Sequence, residues 1–345
     1  MTAAAADKPA VLDALSEAAL LAADGRVVAA NGAARALLGG RLEGASLAQV
    51  VSHPAALEAL ERPGGDTIDG VELTGLGGSR RHWLMRTAAL DDGTVLIRFV
   101  DRSEARAAEQ MRVDFVANAS HELRTPLATL IGYTETLREQ ADEIDPDTRE
   151  RFLSVVHDEA RRMQRIVEDL ISLSRIEAEK FTAPTDAVPL APLIDHALDG
   201  ARRMAQDRRF ELVRNVEGSL PDIAADSGQI LQLLDNLVTN ALRYGEPGTA
   251  VTVAVRPEGS MVHLSVADQG EGIAPEHIAR VTERFYRVDT SRSRSLGGTG
   301  LGLSIVKHIV ERHRGRLTIE SLLGHGTTVH VLLPVAAGST VMTLS

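Results

Sequence analysis

Apolar positions along the chain follow three successive patterns. Up to about residue 100 they come in short runs. Val27–Ala30 is a short apolar run, Asn31–Gly32 leads into a helix-like Ala33–Leu38, and alternation through Trp83 and Met85, then Val95, Ile97 and Phe99, flanks Asp92–Gly93. Period-two alternation on both sides of Asp-Gly is a hairpin signal, so residues 1–103 predict a small mixed α/β domain closing on a β-hairpin.

From about Glu104 to Lys180 the period becomes helical. Positions 116, 119, 123, 127, 130, 134 and 137, apolar except for Thr134, share one face, and Val156, Met163, Ile166, Leu170 and Leu173 repeat in steps of seven, three, four and three. Between the two helices lies Glu143–Asp147, where Asp145 suits an N-cap and Pro146 the first helical position. A pair of helices of about 35 residues, roughly 50 Å long, cannot cover an apolar stripe on both members. A homodimeric four-helix bundle over 104–180 is the expected remedy.

A proline-containing linker, Phe181–Pro192, precedes a third region over 189–336 that predicts an α/β sandwich. Its expected elements are helices near 191–207, 227–244 and 301–313, with strands near 210–215, 251–255, 261–267, 316–320 and 327–333. The tail 337–345 carries no strong signal. No internal repeat is visible.

Composition narrows the chemistry. The 345 residues include no cysteine, which excludes disulfide scaffolds, thiolate metal sites and cysteine nucleophiles. No run reaches the roughly 18 apolar residues of a membrane helix, and Met1–Ala6 lacks the positive region and apolar core of a signal peptide; a cytoplasmic chain is expected. A net charge of −11 and 3% aromatic residues argue against a direct nucleic-acid partner.

Four segments carry candidate chemistry. Phe115–Leu127 reads FVANASHELRTPL, with His121 opposite the apolar stripe and Thr125 one turn on along the same face. Pro126 removes the bond to the Glu122 carbonyl and should kink the helix. A neutral imidazole offers a lone pair for nucleophilic attack, and Glu122 could hold or deprotonate the other ring nitrogen. HELRT is not a zincin HExxH, since Thr125 occupies the second ligand position. On the helix at 227–244, Gln229, Gln232, Asn236, Asn240 and Arg243 lie opposite Ile230, Leu234, Leu237, Val238 and Ala241. Two asparagines inside a helix need a reason; their amide oxygens suit Mg²⁺, and Arg243 suits phosphate. Asp268-Gln-Gly270-Glu-Gly272-Ile273 follows a strand, where glycines admit a flat ligand and a carboxylate can accept from an exocyclic amine. Gly297-Gly-Thr-Gly300-Leu-Gly302-Leu opens the last helix and offers free N–H groups to phosphate. It has neither the lysine of a Walker loop nor the preceding strand of a dinucleotide fold. Before it, Thr290–Ser295 with Arg292 and Arg294 reads as a basic lid.

In this order and spacing the segments resemble the sensor histidine kinases of two-component systems. FVANASHELRTPL is similar to the H box, NLVTNALRYG (Asn236–Gly245) to the N box, DQGEGI (Asp268–Ile273) to G1, ERFYRVD (Glu283–Asp289) to the F box and GGTGLGLSIVKHIV to G2. The resemblance implies an ATP lobe of the histidine kinase/Hsp90 type. It makes His121 the phosphoacceptor, Glu122 its acid/base partner and Thr125 an aid to dephosphorylation of a partner response regulator. Asn240, helped by Asn236, would hold Mg²⁺. Arg243 and Tyr244 would border the nucleotide and Asp268 would take the adenine amine. Gly270, Gly272, Ile273, Gly298, Thr299, Gly300, Leu301 and Gly302 would complete the ATP site, with Arg287 and the lid near the γ-phosphate.

Residues 1–103 resemble a PAS domain, Asp101-Arg-Ser103 matching its signal-passing exit. The run DFVANASHELRTPL with GYTETL and LSRIEA is similar to phosphate-regulon sensor kinases. Many such kinases cross the membrane, so this one would sense through its PAS domain, receive its signal from a membrane-protein partner, or be shortened at its N-terminus. The alternative class is a non-catalytic PAS and bundle scaffold with structural ATP.

Overall fold

The computed structural model describes residues 8–61, 70–78, 80–90, 93–140, 142–288 and 298–339. The chain divides into two compact units, Met1–Val116 and Ala117–Ser345.

In the first unit a short α1 (Lys8–Asp13) precedes β1 (Ala18–Ala23), β2 (Arg26–Ala30), α2 (Gly32–Leu38), α3 (Leu47–Val50), α4 (Pro54–Glu61), β3 (Val71–Thr74), β4 (His82–Ala89) and β5 (Val95–Asp101). The strands form one antiparallel sheet in the order β2-β1-β5-β4-β3. Alternation on β4 and β5 sends Trp83, Met85, Ile97 and Phe99 into a core shared with Leu20, Val27, Ala34 and Ala56. The β4–β5 hairpin closes with Gly93 at φ 78°; Asp92 of the expected turn lies outside the described residues. Asn31 is more than the expected helix entry. Its buried amide accepts from Ala19 and Ala34 N–H and donates to the carbonyls of Leu12, Leu15 and Glu17. That satisfies a polar group whose burial alone would cost a few kcal/mol. At the exit, the Asp101 carboxylate accepts from Ser103 N–H at 2.9 Å, and Ser103 Oγ accepts from His82 N–H at 3.0 Å. Hydrogen bonding from the Ser103 hydroxyl and N–H holds the Asp101 carboxyl below its usual value.

α5 (Ser103–Glu139) runs unbroken through Pro126. α6 (Pro146–Ala178) starts as expected, with Pro146 in its first turn and Asp145 accepting from Thr148 N–H at 2.9 Å. In the second unit α5 and α6 pack antiparallel, joined by an edge-on Tyr133–Phe152 ring pair and by Arg162–Glu122. Both helices leave apolar side chains exposed, among them Leu127, Ile131, Leu153, Val167 and Ile171.

The remaining elements are β6 (Ala187–Val188), α7 (Leu190–Asp207), β7 (Glu211–Val216), β8 (Ile223–Ala224), α8 (Ser227–Tyr244), β9 (Ala250–Glu258), β10 (Met261–Asp268), α9 (Pro275–Ile278), α10 (Gly302–Arg312), β11 (Arg316–Leu322) and β12 (Gly326–Pro334). Five strands form a sheet in the order β11-β12-β10-β9-β7, with only β7–β9 parallel. Inward-facing Val251, Val253, Val255, Val262, Leu264, Val266, Val331 and Leu333 are buried, alternating with accessible neighbours, and α7, α8 and α10 supply the buried apolar faces of a second layer. The expected linker is partly ordered: β6 pairs with β8 inside it, and Leu190 already begins α7. At the end of the third region, Ala336 N–H donates to the Asp222 carbonyl. Thr290–Ser295, Arg292, Arg294, Asp289 and Gly297 lie outside the described residues.

Candidate functional site

His121 is exposed on α5, and Thr125, one turn on, donates to its carbonyl at 3.4 Å. His121 lines a cleft of about 290 Å³ with Asn118, Glu122 and the segment Arg280–Tyr286 between α9 and α10. The neighbouring carboxylate departs from expectation. Glu122 Oε2 accepts from Arg162 Nη2 on α6 at 3.1 Å and from Arg287 Nη1 at 3.4 Å, so its described contacts are two guanidinium groups rather than the His121 ring. Adjacent helix residues point about 100° apart, and the arginines capture the carboxylate on its own side.

On α8, Asn236 and Asn240 stand half-buried opposite the apolar face, beside the start of α10. A Cβ on Gly302 would sit 3.0 Å from Asn236 Oδ1 and 3.7 Å from Asn240 Nδ2, so glycine keeps a space open between helix start and amides. No side chain caps the α10 N-terminus at Leu301, leaving its first N–H groups for an anion. Arg243 is half-buried; burial lowers its pKa from the usual guanidinium range, Arg165 and Arg287 push the same way, and Tyr244 and Asp169 counteract. Tyr244 is exposed at the end of α8.

The loop after β10 lies directly against that helix end. Gly245 and Gly270 bridge, and a Cβ on Gly270 would meet the Tyr244 carbonyl at 2.2 Å. Gly272 has φ 69° with the Leu322 carbonyl 2.1 Å from its Cβ position, so it admits no side chain. Ile273 N–H donates to Ser321 Oγ at 2.7 Å. Asp268 accepts from Gly270 and Thr327 N–H groups at 3.0 and 3.3 Å, yet burial pushes its carboxyl up to about 6. Gly298 and Leu301 are buried, and Gly300, at φ 73°, carries a carbonyl that accepts from Phe285 N–H at 2.8 Å.

Sequence reasoning missed the side of α6 that faces these groups. Thr299 Oγ1 donates to Asp169 at 2.8 Å, Ser172 Oγ to Gln232 at 2.7 Å, and Arg284 pairs with Glu177. Burial raises the Asp169 carboxyl pKa. The signal was present. Arg162, Ile166, Asp169, Leu173 and Ile176 recur in steps of four, three, four and three, so two charged residues interrupt a stripe whose apolar members are buried.

A space held open by glycine, an uncapped helix end, two asparagine amides and a half-buried carboxylate together fit a nucleoside triphosphate. The comparisons agree. Residues 225–337 match the model for histidine kinase-, DNA gyrase B- and HSP90-like ATPases, 111–179 the His Kinase A phospho-acceptor domain, and 12–107 the PAS fold. The chain is 38% identical over 245 residues to sensor histidine kinase WalK of Bacillus subtilis, covering 70% of this chain and 40% of that protein. It is 38% identical over 242 residues to sensor protein SrrB of Staphylococcus aureus, covering 70% and 41%. The chain thus spans about two fifths of the curated relatives it matches. Histidine kinase ThkA, solved with response regulator protein TrrA, shares the fold at TM-score 0.54 and 19% identity over 94% of this chain and 98% of that one. Histidine kinase AdeS of Acinetobacter baumannii does so at TM-score 0.50 and 20% identity, over 62% and 98%. The chain belongs to the two-component sensor histidine kinases, with a PAS-fold module, a phospho-acceptor helix pair and an ATPase-type lobe.

Proposed function

We propose that the chain phosphorylates its own His121 from ATP and passes the phosphoryl group to an aspartate of a cognate response regulator. The observation that carries this is the cleft in which exposed His121 meets Arg280–Tyr286, with Arg287 reaching the carboxylate next to the histidine. A ring nitrogen of His121 attacks the γ-phosphorus, the bond to the β,γ-bridging oxygen breaks and ADP leaves. Glu122 takes the proton from the other ring nitrogen. Phosphoryl transfer is loose, so positioning and charge neutralisation dominate. Asn240 and Asn236 would hold Mg²⁺, whose charge would offset that of the phosphates. Arg243, Arg287 and the α10 N-terminus supply further positive potential, and Asp268 takes the adenine amine. Thr125, on the His121 face, serves dephosphorylation of the regulator.

The proposal includes a homodimer, since α5 and α6 leave an apolar stripe open, and a domain division at 1–103, 104–180 and 189–336 with a tail at 337–345. Among the described residues no helix is long and apolar enough to cross a membrane, and a membrane-protein partner remains part of the proposal as a source of signal. The narrower likeness to phosphate-regulon kinases rests on FVANASHELRTPL, GYTETL and LSRIEA alone; the relatives named above are WalK and SrrB, and no stimulus is assigned.

Incubation with γ-labelled ATP should give an acid-labile, base-stable label that His121→Ala abolishes and that moves to one member of a regulator panel. Wild-type chain that takes no label with regulator present leaves only the scaffold reading.

A further inference from the structure

We propose that Arg162 is a positioning residue for phosphorylation of His121, acting through Glu122. This rests on the kinase reading above and adds a residue that none of the recognised motifs contains.

Arg162 lies on α6, forty residues from Glu122, with a side chain only 7% exposed. A buried guanidinium costs several kcal/mol unless its charge is met, so what meets it defines its purpose. Its Nη2 donates to Glu122 Oε2 at 3.1 Å and its Nη1 lies 3.7 Å from Glu159 Oε2, while its Nε has no hydrogen-bond partner among the described residues. Glu122 Oε2 receives a second cation, Arg287, from the segment before the Gly-rich loop. The two arginines differ in origin. Arg162 belongs to the same helix pair as His121, whereas Arg287 belongs to the lobe that binds nucleotide. Contact with Arg287 therefore lasts only while the lobe stands at the histidine, whereas contact with Arg162 persists as the lobe moves. Arg162 restricts the carboxylate in advance within the cleft that Glu122 shares with His121, and a base whose freedom is already restricted loses less on reaching the transition state.

A purely structural tie between α5 and α6 predicts something different, and the full-length chain separates the two. Single-turnover labelling by γ-labelled ATP would be measured for wild type, Arg162→Met, Arg162→Lys, Glu122→Gln and the Met/Gln double variant, with melting temperature and affinity for a fluorescent ATP analogue recorded for each. Arg162→Met should slow labelling about tenfold or more at saturating ATP with nucleotide affinity unchanged. Arg162→Lys should recover part of the rate, since an ammonium restores the charge without the planar fork. Arg162→Met should cost nothing further in the Glu122→Gln background, because residues acting as a unit are non-additive. Arg162→Met labelling at the wild-type rate, or losses that multiply in the double variant, would overturn the proposal. Where Arg162→Met fails to fold, Arg162→Gln takes its place in the same cycle. A wild-type chain that takes no label overturns the kinase reading and this proposal with it, an outcome distinct from a labelled wild type with an unaffected variant.

Discussion

Asp268 is held half-buried at the end of β10 by two backbone N–H groups, and burial lifts its carboxyl from 3.8 to about 6. In the unfolded chain it titrates near the lower value, so its contribution to stability is fully present below about pH 4 and is lost as pH rises through 6. At neutral pH the ionised group opposes folding by up to on the order of 3 kcal/mol. Asp268→Asn keeps an oxygen for both N–H donors and sheds the charge. It should stabilise the nucleotide-free chain in urea melts at pH 7.5, with a gain that shrinks toward pH 4, and should weaken ATP binding at least tenfold. A variant less stable than wild type at pH 7.5 contradicts the account. Asp268, Asn236 and Asn240 were legible in the sequence because each stands in a local pattern that flags it, a strand end or an interior helix asparagine. The capture of Glu122 by Arg287 was not, since that contact spans 165 residues and follows only from packing.

Helix boundaries were the most legible elements. The expected 227–244 coincides with α8, where Asp226 caps the first turn by accepting from Gln229 N–H at 3.1 Å. The short β6–β8 pair was missed because two-residue strands carry no periodicity. On α6 the periodicity was read one stripe too simply. Ile166 and Leu173 are buried as expected, but Met163 and Leu170 are only half so, and the buried line also takes in Arg162 and Ile176, with Asp169 half-buried along it. A separate apolar line stays open, with Leu127 on α5 46% and Ile171 on α6 49% exposed. Exposed apolar stripes on paired helices drive association. Leu127→Glu with Ile171→Glu should convert a dimer to a monomer in sedimentation velocity while leaving the lobe folded. A double variant that sediments as wild type would remove these faces from the interface.

Across the whole molecule, the candidate site groups come from separate stretches that only the fold brings together. The bridge between Gly245 and Gly270 sets the loop after β10 against the end of α8, and the start of α10 abuts Asn236 and Asn240. The sequence order of motifs signalled this assembly only through resemblance, since nothing local in GTGLGL indicates which amides it faces. The PAS-fold unit carries its own test. Removal of residues 1–102 should change the ratio of His121 labelling to regulator dephosphorylation about fivefold or more, the usual span of coupling between sites. An unchanged ratio would leave that unit without a regulatory role.

On the role proposed for Asp268, nucleotide binding is also a proton-releasing event. A ligand amine that donates to Asp268 needs it ionised, whereas near pH 6 the free protein holds it protonated roughly half the time. Each binding event there expels roughly half a proton into the medium. The calorimetric heat of binding should therefore vary with the ionisation enthalpy of the buffer near pH 6 and lose that dependence at pH 8.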